Sequence, residues 1–430
     1  MASDPVDFSP TLELERAVQG RDYSDENIVL LMYSLDCRIM SGSGVLQNTT
    51  KRTCNLQALR GHGRPFSRQM KCRTSKMKVI ASSGTQKAVT LTSWHPQGFE
   101  GLRVEHCEAP MIMGNSEDVL VKMILRPINP ADISLIQGRM GRPSLPLIPG
   151  AEGVGVVQAC GSNVKGLKPG QRVVCVPSKA WSALDGSGTW QQVMSVPQGN
   201  LYPVPDDVSD EQAAQFAVNP LTVWGLLLSG LPHQKLQAKA YQDVRKWVIN
   251  SAGGSALGRQ LIAVAKHEYD LSVVAVVRRS DQKDELLAAG AGAVIATDGS
   301  DGDVTEAIRK RTGGDMVLGG FDCVGGEVTR AVVAATNPST STLIYGALGG
   351  PSININTLDI FLKKSIKPFL LREFLGNLEN VQEVCTSVMR MIQDGVIKLP
   401  SGKRYPLEEV QIAAAESLKT GGKEKVFLEG

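Results

Sequence analysis

The sequence is poor in the side chains that build metal sites. Its eight cysteines, Cys37, Cys54, Cys72, Cys107, Cys160, Cys175, Cys323 and Cys385, never stand in a C-x-x-C pair. Its five histidines show no H-E-x-x-H or comparable spacing. A structural zinc loop is therefore not expected, and no metal ligand is assigned. Scattered single thiols fit a reducing compartment better than a disulfide framework. No apolar run is long enough to span a bilayer. Basic residues are not gathered into the footprint that nucleic acid requires. Positive and negative side chains nearly cancel, 46 against 43.

Acidic residues are absent from one stretch. Between Asp36 and Glu100 there is none, while eleven Lys and Arg lie there amid Ser, Thr and Gly. Residues 1–80 hold 12 basic and 8 acidic side chains, so residues 81–430 carry a net charge of −1. A basic, Ser-rich, acid-poor segment buries too little apolar surface to offset its ordering entropy. Residues 1–84 are thus expected to be a disordered leader. Their composition matches an organelle transit peptide, in a chloroplast rather than a mitochondrion. The alternative is an ordinary disordered tail. An acidic block precedes the basic stretch, so Met32 or Met40 is a candidate start.

Beyond the leader the chain is patterned. Runs at 88–91, 102–104, 119–125 and 172–177 read as short strands, punctuated by Gly and Pro turns. That pattern predicts a compact β-rich barrel. From Asp207 onward, helical stretches alternate with apolar strands at 246–250, 271–277, 293–296, 316–322 and 341–346. This alternation predicts an α/β doubly wound parallel sheet. The final apolar residues, 426–428, are expected to rejoin the barrel. The expected organisation is a barrel domain at 85–210 and 372–430, with the parallel-sheet domain at 211–371.

The most informative stretch is 247–279, WVINSAGGSALGRQLIAVAKHEYDLSVVAVVRR. It reads as strand, glycine turn, helix and strand, the length of one βαβ unit. A pyrophosphate can rest on a helix N-terminus only where no side chain projects beneath it. Gly253 and Gly258 fill the first and third places of the usual G-x-G-x-x-G turn, and Ser255 takes the second. At the end of the second strand, an NAD site places a carboxylate for the ribose 2′-hydroxyl. Here Arg278 and Arg279 stand there instead, and guanidinium groups suit a 2′-phosphate. The predicted cofactor is NADPH in preference to NADH. The alternative is a purely structural turn followed by a solvated basic pair.

Several motifs in order resemble the medium-chain dehydrogenase/reductase superfamily from about Lys87 onward. They are INPADI (128–133), PGAEGVGVV (149–157), GSNVKGLKPGQRV (161–173), GTW (188–190), VNPLT (218–222), the glycine turn, FDCVGG (321–326) and IYGAL (344–348). The fold so implied is a GroES-like barrel plus a Rossmann domain. Within the superfamily, the chain is similar to the 2-enoyl thioester reductases of organelle fatty-acid synthesis and to quinone-reductase-like relatives. The zinc-binding His of related alcohol dehydrogenases falls at Ala151, so the resemblance implies a zinc-independent enzyme.

The implied reaction is hydride transfer from NADPH to an enoyl thioester or related enone. Alternatives are an NADPH:quinone reductase and a non-catalytic NADPH-binding regulatory protein. The resemblance carries Asn219 and Thr222 to the nicotinamide side, and Gly254, Ser255, Ala256 and Leu257 to the pyrophosphate. Arg278 and Arg279 go to the 2′-phosphate, and Tyr345, Gly346, Ala347 and Leu348 to a strand end beside the nicotinamide. Phe369 and Lys425 are weaker cofactor contacts, and core packing is the alternative for Tyr345 and Phe369. Asn219 could equally be a helix N-cap. Asn129, Met140, Trp190 and Trp224 are expected to line the substrate pocket. Met140 occupies the place of the family's proton-assisting Tyr, and a thioether cannot donate a proton. The catalytic acid is therefore left unassigned. A homodimer is expected from the exposed sheet edge.

Overall fold

The computed structural model describes residues 79–81, 84–139, 141–177, 188–232, 244–420 and 422–430. They fall in one compact unit, Thr74–Gly430. The first half holds β1 (Val79–Ala81), β2 (Thr85–Leu91), β3 (Leu102–Glu108), β4 (Met111–Met113) and β5 (Asp118–Pro127). Helix α1 (Pro130–Ile136) comes next, then β6 (Val154–Cys160), β7 (Arg172–Cys175), β8 (Val193–Pro197) and β9 (Leu201–Pro203). Helices α2 (Asp210–Ala214) and α3 (Asn219–Gly230) lead to β10 (Lys246–Asn250), α4 (Ala256–Tyr269) and β11 (Ser272–Val277). After these come α5 (Lys283–Ala288), β12 (Ala293–Ala296), α6 (Val304–Thr312), β13 (Met316–Asp322), α7 (Gly326–Ala335) and β14 (Ser341–Ile344). The chain ends with α8 (Thr357–Phe361), β15 (Ser365–Pro368), α9 (Leu371–Gly376), α10 (Val381–Gln393), β16 (Gly402–Pro406), α11 (Val410–Ser417) and β17 (Lys425–Glu429).

The barrel is built on β5, which pairs antiparallel with β6, β8 and β17. Its sheet runs β16-β17-β5-β6-β7-β9, with β8 also on β5. Side chains alternate across a strand. Val119, Val121 and Met123 accordingly share one cluster with Val157, Val173 and Val196. Leu120 faces the other way, against Ile112 and Val193. Arg126 is fully buried; its Nε donates to the Thr189 carbonyl and its Nη2 to those of Gln191 and Gly430, while Nη1 has no hydrogen-bond partner.

The second half is a six-stranded parallel sheet in the order β12-β11-β10-β13-β14-β15. Its strands β10 to β13 are largely apolar and buried because helices cover both faces. Val248, Val273, Ala275 and Val277 pack on the side of α4, with Leu261, Ile262, Val264 and Ala265. Trp247, Ile249, Val274 and Val276 pack on the other side with Ile308 and Val332. Both faces of the doubly wound sheet are thus filled from one alternating pattern.

Two boundaries differ from the sequence reading. Val79–Ala81, inside the expected leader 1–84, form a strand in register with Met111–Met113. Two β-branched residues in an extended run supply a ladder that β4 would otherwise lack. The remainder of the leader lies outside the described residues. The chain also returns to the barrel later than residue 372. Leu375, Cys385, Val388 and Met389 of α9 and α10 join the core of the parallel-sheet half, and β16 begins the return. The amphipathic face of α10 finds its apolar partner on α3, so it stays there. No helix among the described residues is long and apolar enough to cross a membrane.

Candidate cofactor and active site

The sheet order reverses between β10 and β13, which are neighbours although β11 and β12 come between them in sequence. In an open parallel sheet this is the crevice where ligands bind, at the carboxyl ends of the strands. Asn250, Ser251 and Asp322 lie at the ends of those strands and are completely buried. The Tyr345 hydroxyl donates to Asn250 Oδ1 at 3.1 Å. Ser251 Oγ accepts from the Cys323 N–H at 2.9 Å. Burial pushes the Tyr345 phenol well above its usual range and the Cys323 thiol up to about 11. Both stay protonated near neutrality, so Cys323 is no thiolate nucleophile. Asn250 Nδ2 is buried with no partner. An unsatisfied amide donor in such a place costs about 1–3 kcal/mol unless something accepts from it.

The glycine turn lies directly beyond Asn250. A Cβ on Gly253 would stand 2.5 Å from Ala275 Cβ of β11, and one on Gly258 would stand 2.5 Å from the Gly253 carbonyl. These two glycines let helix, turn and strand close on one another. Gly254 faces the Gln282 side chain, where a Cβ would meet Oε1 at 2.6 Å. Ser255 is the N-cap of α4, and its Oγ accepts from the Gly258 N–H at 3.0 Å. The hydroxyl proton remains available to an anion, as do the first-turn N–H groups of Ala256 and Leu257, which a helix cannot satisfy internally. Arg278 and Arg279 are both exposed at the end of β11. Arg279 Nε lies 3.2 Å from Asp281 Oδ1.

Asn219 opens α3 and is half-buried, while Val218 takes the cap position, so the N-cap alternative for Asn219 does not hold. Thr222 is buried on the same helix. Gly346 packs on Cys323, and Ala347 and Leu348 are exposed. Phe369, expected at the cofactor, is instead packed into the core. A Cβ on Gly225 of α3 would meet its ring at 2.6 Å, and Phe374 lies 5.7 Å away. Trp190, expected in the substrate pocket, is wholly buried in the barrel core beside Leu91, Leu102 and Ile136. Gly150, at φ +108°, makes room for its indole. Trp224 is half-buried on α3 against the core of the parallel-sheet half. Met140 lies outside the described residues.

Asn129 is also not a pocket wall. It is 1% exposed and bridges two charged groups. Its Nδ2 donates to Glu152 Oε1 at 2.8 Å, and its Oδ1 accepts from Lys425 Nζ. Glu152 Oε2 accepts from the N–H groups of Ala217 and Val218, just before α3. Asp132 accepts from the N–H groups of Asn129 and Ala151. Burial raises Glu152, lowers Lys425 and pushes Asp132 up to about 7. Sequence reasoning missed this cluster, although INPADI and PGAEG contain both carboxylates. Ala151, at the alcohol dehydrogenase ligand place, offers no ligand atom. Among the described residues, no group of three or more His, Cys, Asp and Glu could hold a metal ion.

Known proteins share this architecture. Residues 115–206 match the alcohol dehydrogenase GroES-like domain, and residues 256–389 match a model described as zinc-binding dehydrogenase. The mitochondrial enoyl-[acyl-carrier-protein] reductase of Rattus norvegicus is 30% identical over 335 residues, covering 76% of this chain and 84% of the rat protein. A structure described as a putative NADPH:quinone reductase from Bacillus thuringiensis matches with TM-score 0.68 and 27% identity, over 81% of this chain and all of that one. A complex of Etr1p with NADP and crotonyl-CoA matches with TM-score 0.65 and 22% identity, over the same shares, and supports the fold. The chain belongs to the medium-chain dehydrogenase/reductase family, in its branch of enoyl thioester and quinone reductases.

Proposed function

We propose that the protein is an NADPH-dependent reductase of α,β-unsaturated thioesters or related enones. One observation carries the reading: a glycine turn opens onto a capped helix at the switch point, with two exposed arginines one strand away. The residues present fit the cofactor. The turn has no room for side chains, Asn250 holds an orphaned buried donor, and the family relatives include proteins named for NADPH. Bound there, NADPH supplies the hydride.

The rest is the work of this chain. Ser255, Ala256 and Leu257 offer donors to the pyrophosphate, with Gly254, which faces the Gln282 side chain, beside them. Arg278 and Arg279 select the 2′-phosphate. Asn250, oriented by the Tyr345 hydroxyl, presents an amide donor at the crevice. Asn219, Thr222, Gly346, Ala347 and Leu348 border the nicotinamide side. Lys425 is taken as a cofactor contact from the barrel side, with its ammonium hydrogen-bonded to Asn129. With Met140 in the family tyrosine's place, residue 140 supplies no proton, and another group or water protonates the substrate.

The finer partner and location readings belong here too. Among the described residues no strand pairs with the outer edge of β15, and Leu358, Ile360 and Phe361 beside it are 66%, 57% and 77% exposed. Unpaired edges and contiguous apolar surface are normally covered, and a second copy of the chain would cover both. The acid-free stretch between Asp36 and Glu100 supports delivery to an organelle, and its Ser-rich composition favours the chloroplast. A reporter fused to residues 40–85 and remaining diffuse in the cytosol would reject that.

The activity is tested by following NADPH oxidation with crotonyl thioester, a quinone and an α,β-unsaturated aldehyde. Turnover of the thioester is expected. Turnover of the quinone alone would favour the quinone-reductase reading, which the TM-score 0.68 match supports. Tight NADPH binding with no turnover would favour a regulatory protein.

A further inference from the structure

The loop that joins β2 to β3, residues 92–101, carries three side chains that the reductase chemistry has not used. Ser93 Oγ lies 2.9 Å from His95 Nε2. On the other side of the ring, His95 Nδ1 lies 3.7 Å from Glu100 Oε2. A hydroxyl at one ring nitrogen and a carboxylate near the other is the order in which an imidazole passes protons. The loop is built to hold this order. The Thr92 N–H donates to the Gly101 carbonyl at 2.9 Å, and the Gly98 N–H to the His95 carbonyl at 3.3 Å. A Cβ on Gly101 would stand 2.0 Å from the Ser93 carbonyl oxygen, so bare backbone is required where the loop closes. Trp94 and Phe99 anchor it on the barrel core. The His95 side chain is 42% exposed, which leaves the ring in contact with solvent.

The loop lies against the segment that follows α1. Arg139 Nη2 donates to the Pro96 carbonyl at 3.2 Å, and a Cβ on Gly138 would stand 3.4 Å from the Trp94 ring. Gly138 and Arg139 immediately precede Met140, the place where the related enoyl reductases carry their tyrosine. We propose that Ser93 and His95 supply the proton that residue 140 cannot. The proposal rests on the enone-reductase reading above and names its acid. Hydride addition at the β-carbon leaves an enolate, and the Ser93 O–H bond breaks as the α-carbon gains its C–H bond. Ser93 Oγ takes the Nε2 proton of the His95 imidazolium, and the neutral ring regains a proton from water. Glu100 is a positioning residue that favours the charged ring. The charged groups about the ring are Glu100 on its own loop, and Arg139 and Arg142 on the segment packed against it.

A general acid works in its protonated form, so turnover should fall as rising pH removes the imidazolium proton. NADPH oxidation with crotonyl thioester is followed on the full chain between about pH 5.5 and pH 9. Wild-type kcat should decline on the alkaline side. His95→Gln and Ser93→Ala should each lower kcat about a hundredfold with KM little changed, and His95→Gln should abolish the alkaline decline. His106→Gln, at an exposed histidine of β3, is the control and should keep both kcat and the decline. Wild-type kcat in His95→Gln, or a lower kcat with the decline intact, would overturn the relay and leave the reductase reading in place. Thiol release from the thioester without NADPH, lost in Ser93→Ala, would overturn it in favour of a hydrolytic triad. A wild-type chain that oxidises no NADPH with the thioester or with any enone would overturn both.

Discussion

Asp132 is a carboxyl with almost no access to water, and its proton is coupled to the fold. Burial pushes it up to about 7, against an unfolded value near 3.8. The folded chain therefore holds a proton between those values that the unfolded chain has released. Its stabilising contribution is complete below about pH 4 and is lost as pH rises through 7, at about 1.4 kcal/mol per unit. The melting temperature should fall between pH 5.5 and pH 8, and Asp132→Asn should flatten that slope. A slope unchanged by the substitution would remove Asp132 from the account. Arg278→Ala tests a different residue. NADPH affinity should fall about tenfold with NADH nearly unchanged, because only NADPH carries the extra phosphate. Equal loss for both nucleotides would reject the 2′-phosphate role. Positions of this kind were legible at Arg278, exposed at the end of β11, because it sits a fixed distance from the turn. They were not legible at Asn129, whose partner Lys425 is 296 residues away. Trp190 and Phe369 show a further limit. An aromatic residue near a motif reads the same whether it faces a ligand or fills a core.

The βαβ unit is the element on which most of the site depends, and it was the most readable. Apolar residues at helical spacing mark α4, β-branched runs mark β10 and β11, and glycines mark the turn. Local pattern suffices there because each face is buried against its sequence neighbours. Gly253→Val should separate α4 from β11, since a Cβ already stands 2.5 Å from Ala275 Cβ. About 3 kcal/mol of stability should be lost, as in other overpacked cores, together with nucleotide binding. Denaturant unfolding and a fluorescence titration read the two effects separately. In the barrel, Gly150→Ala combines a strained φ with a Cβ 2.3 Å from the Trp190 ring, and expression or melting should report a large loss. The strand Val79–Ala81 shows why the barrel's margin was harder to read. Three residues of composition shared with a polar leader become a strand only because Met111–Met113 run beside them.

At the scale of the whole molecule, the exposed edge of β15 and the apolar side chains of α8 invite a second copy. Phe361→Glu should shift sedimentation from dimer to monomer, with the NADPH affinity of each chain retained. A wild-type chain that sediments as a monomer would reject the dimer. The two-domain layout was legible from the change in pattern near Asp207. The position of the return was not, because α9 and α10 are held by contacts with α3 that local sequence does not encode. One buried cluster bears on how the molecule moves. Glu152, Asn129 and Lys425 join the barrel's first helix, its final strand and the residues that lead into the Rossmann half. A swing of one half against the other that spares those bonds must turn there, as a door turns on its pin.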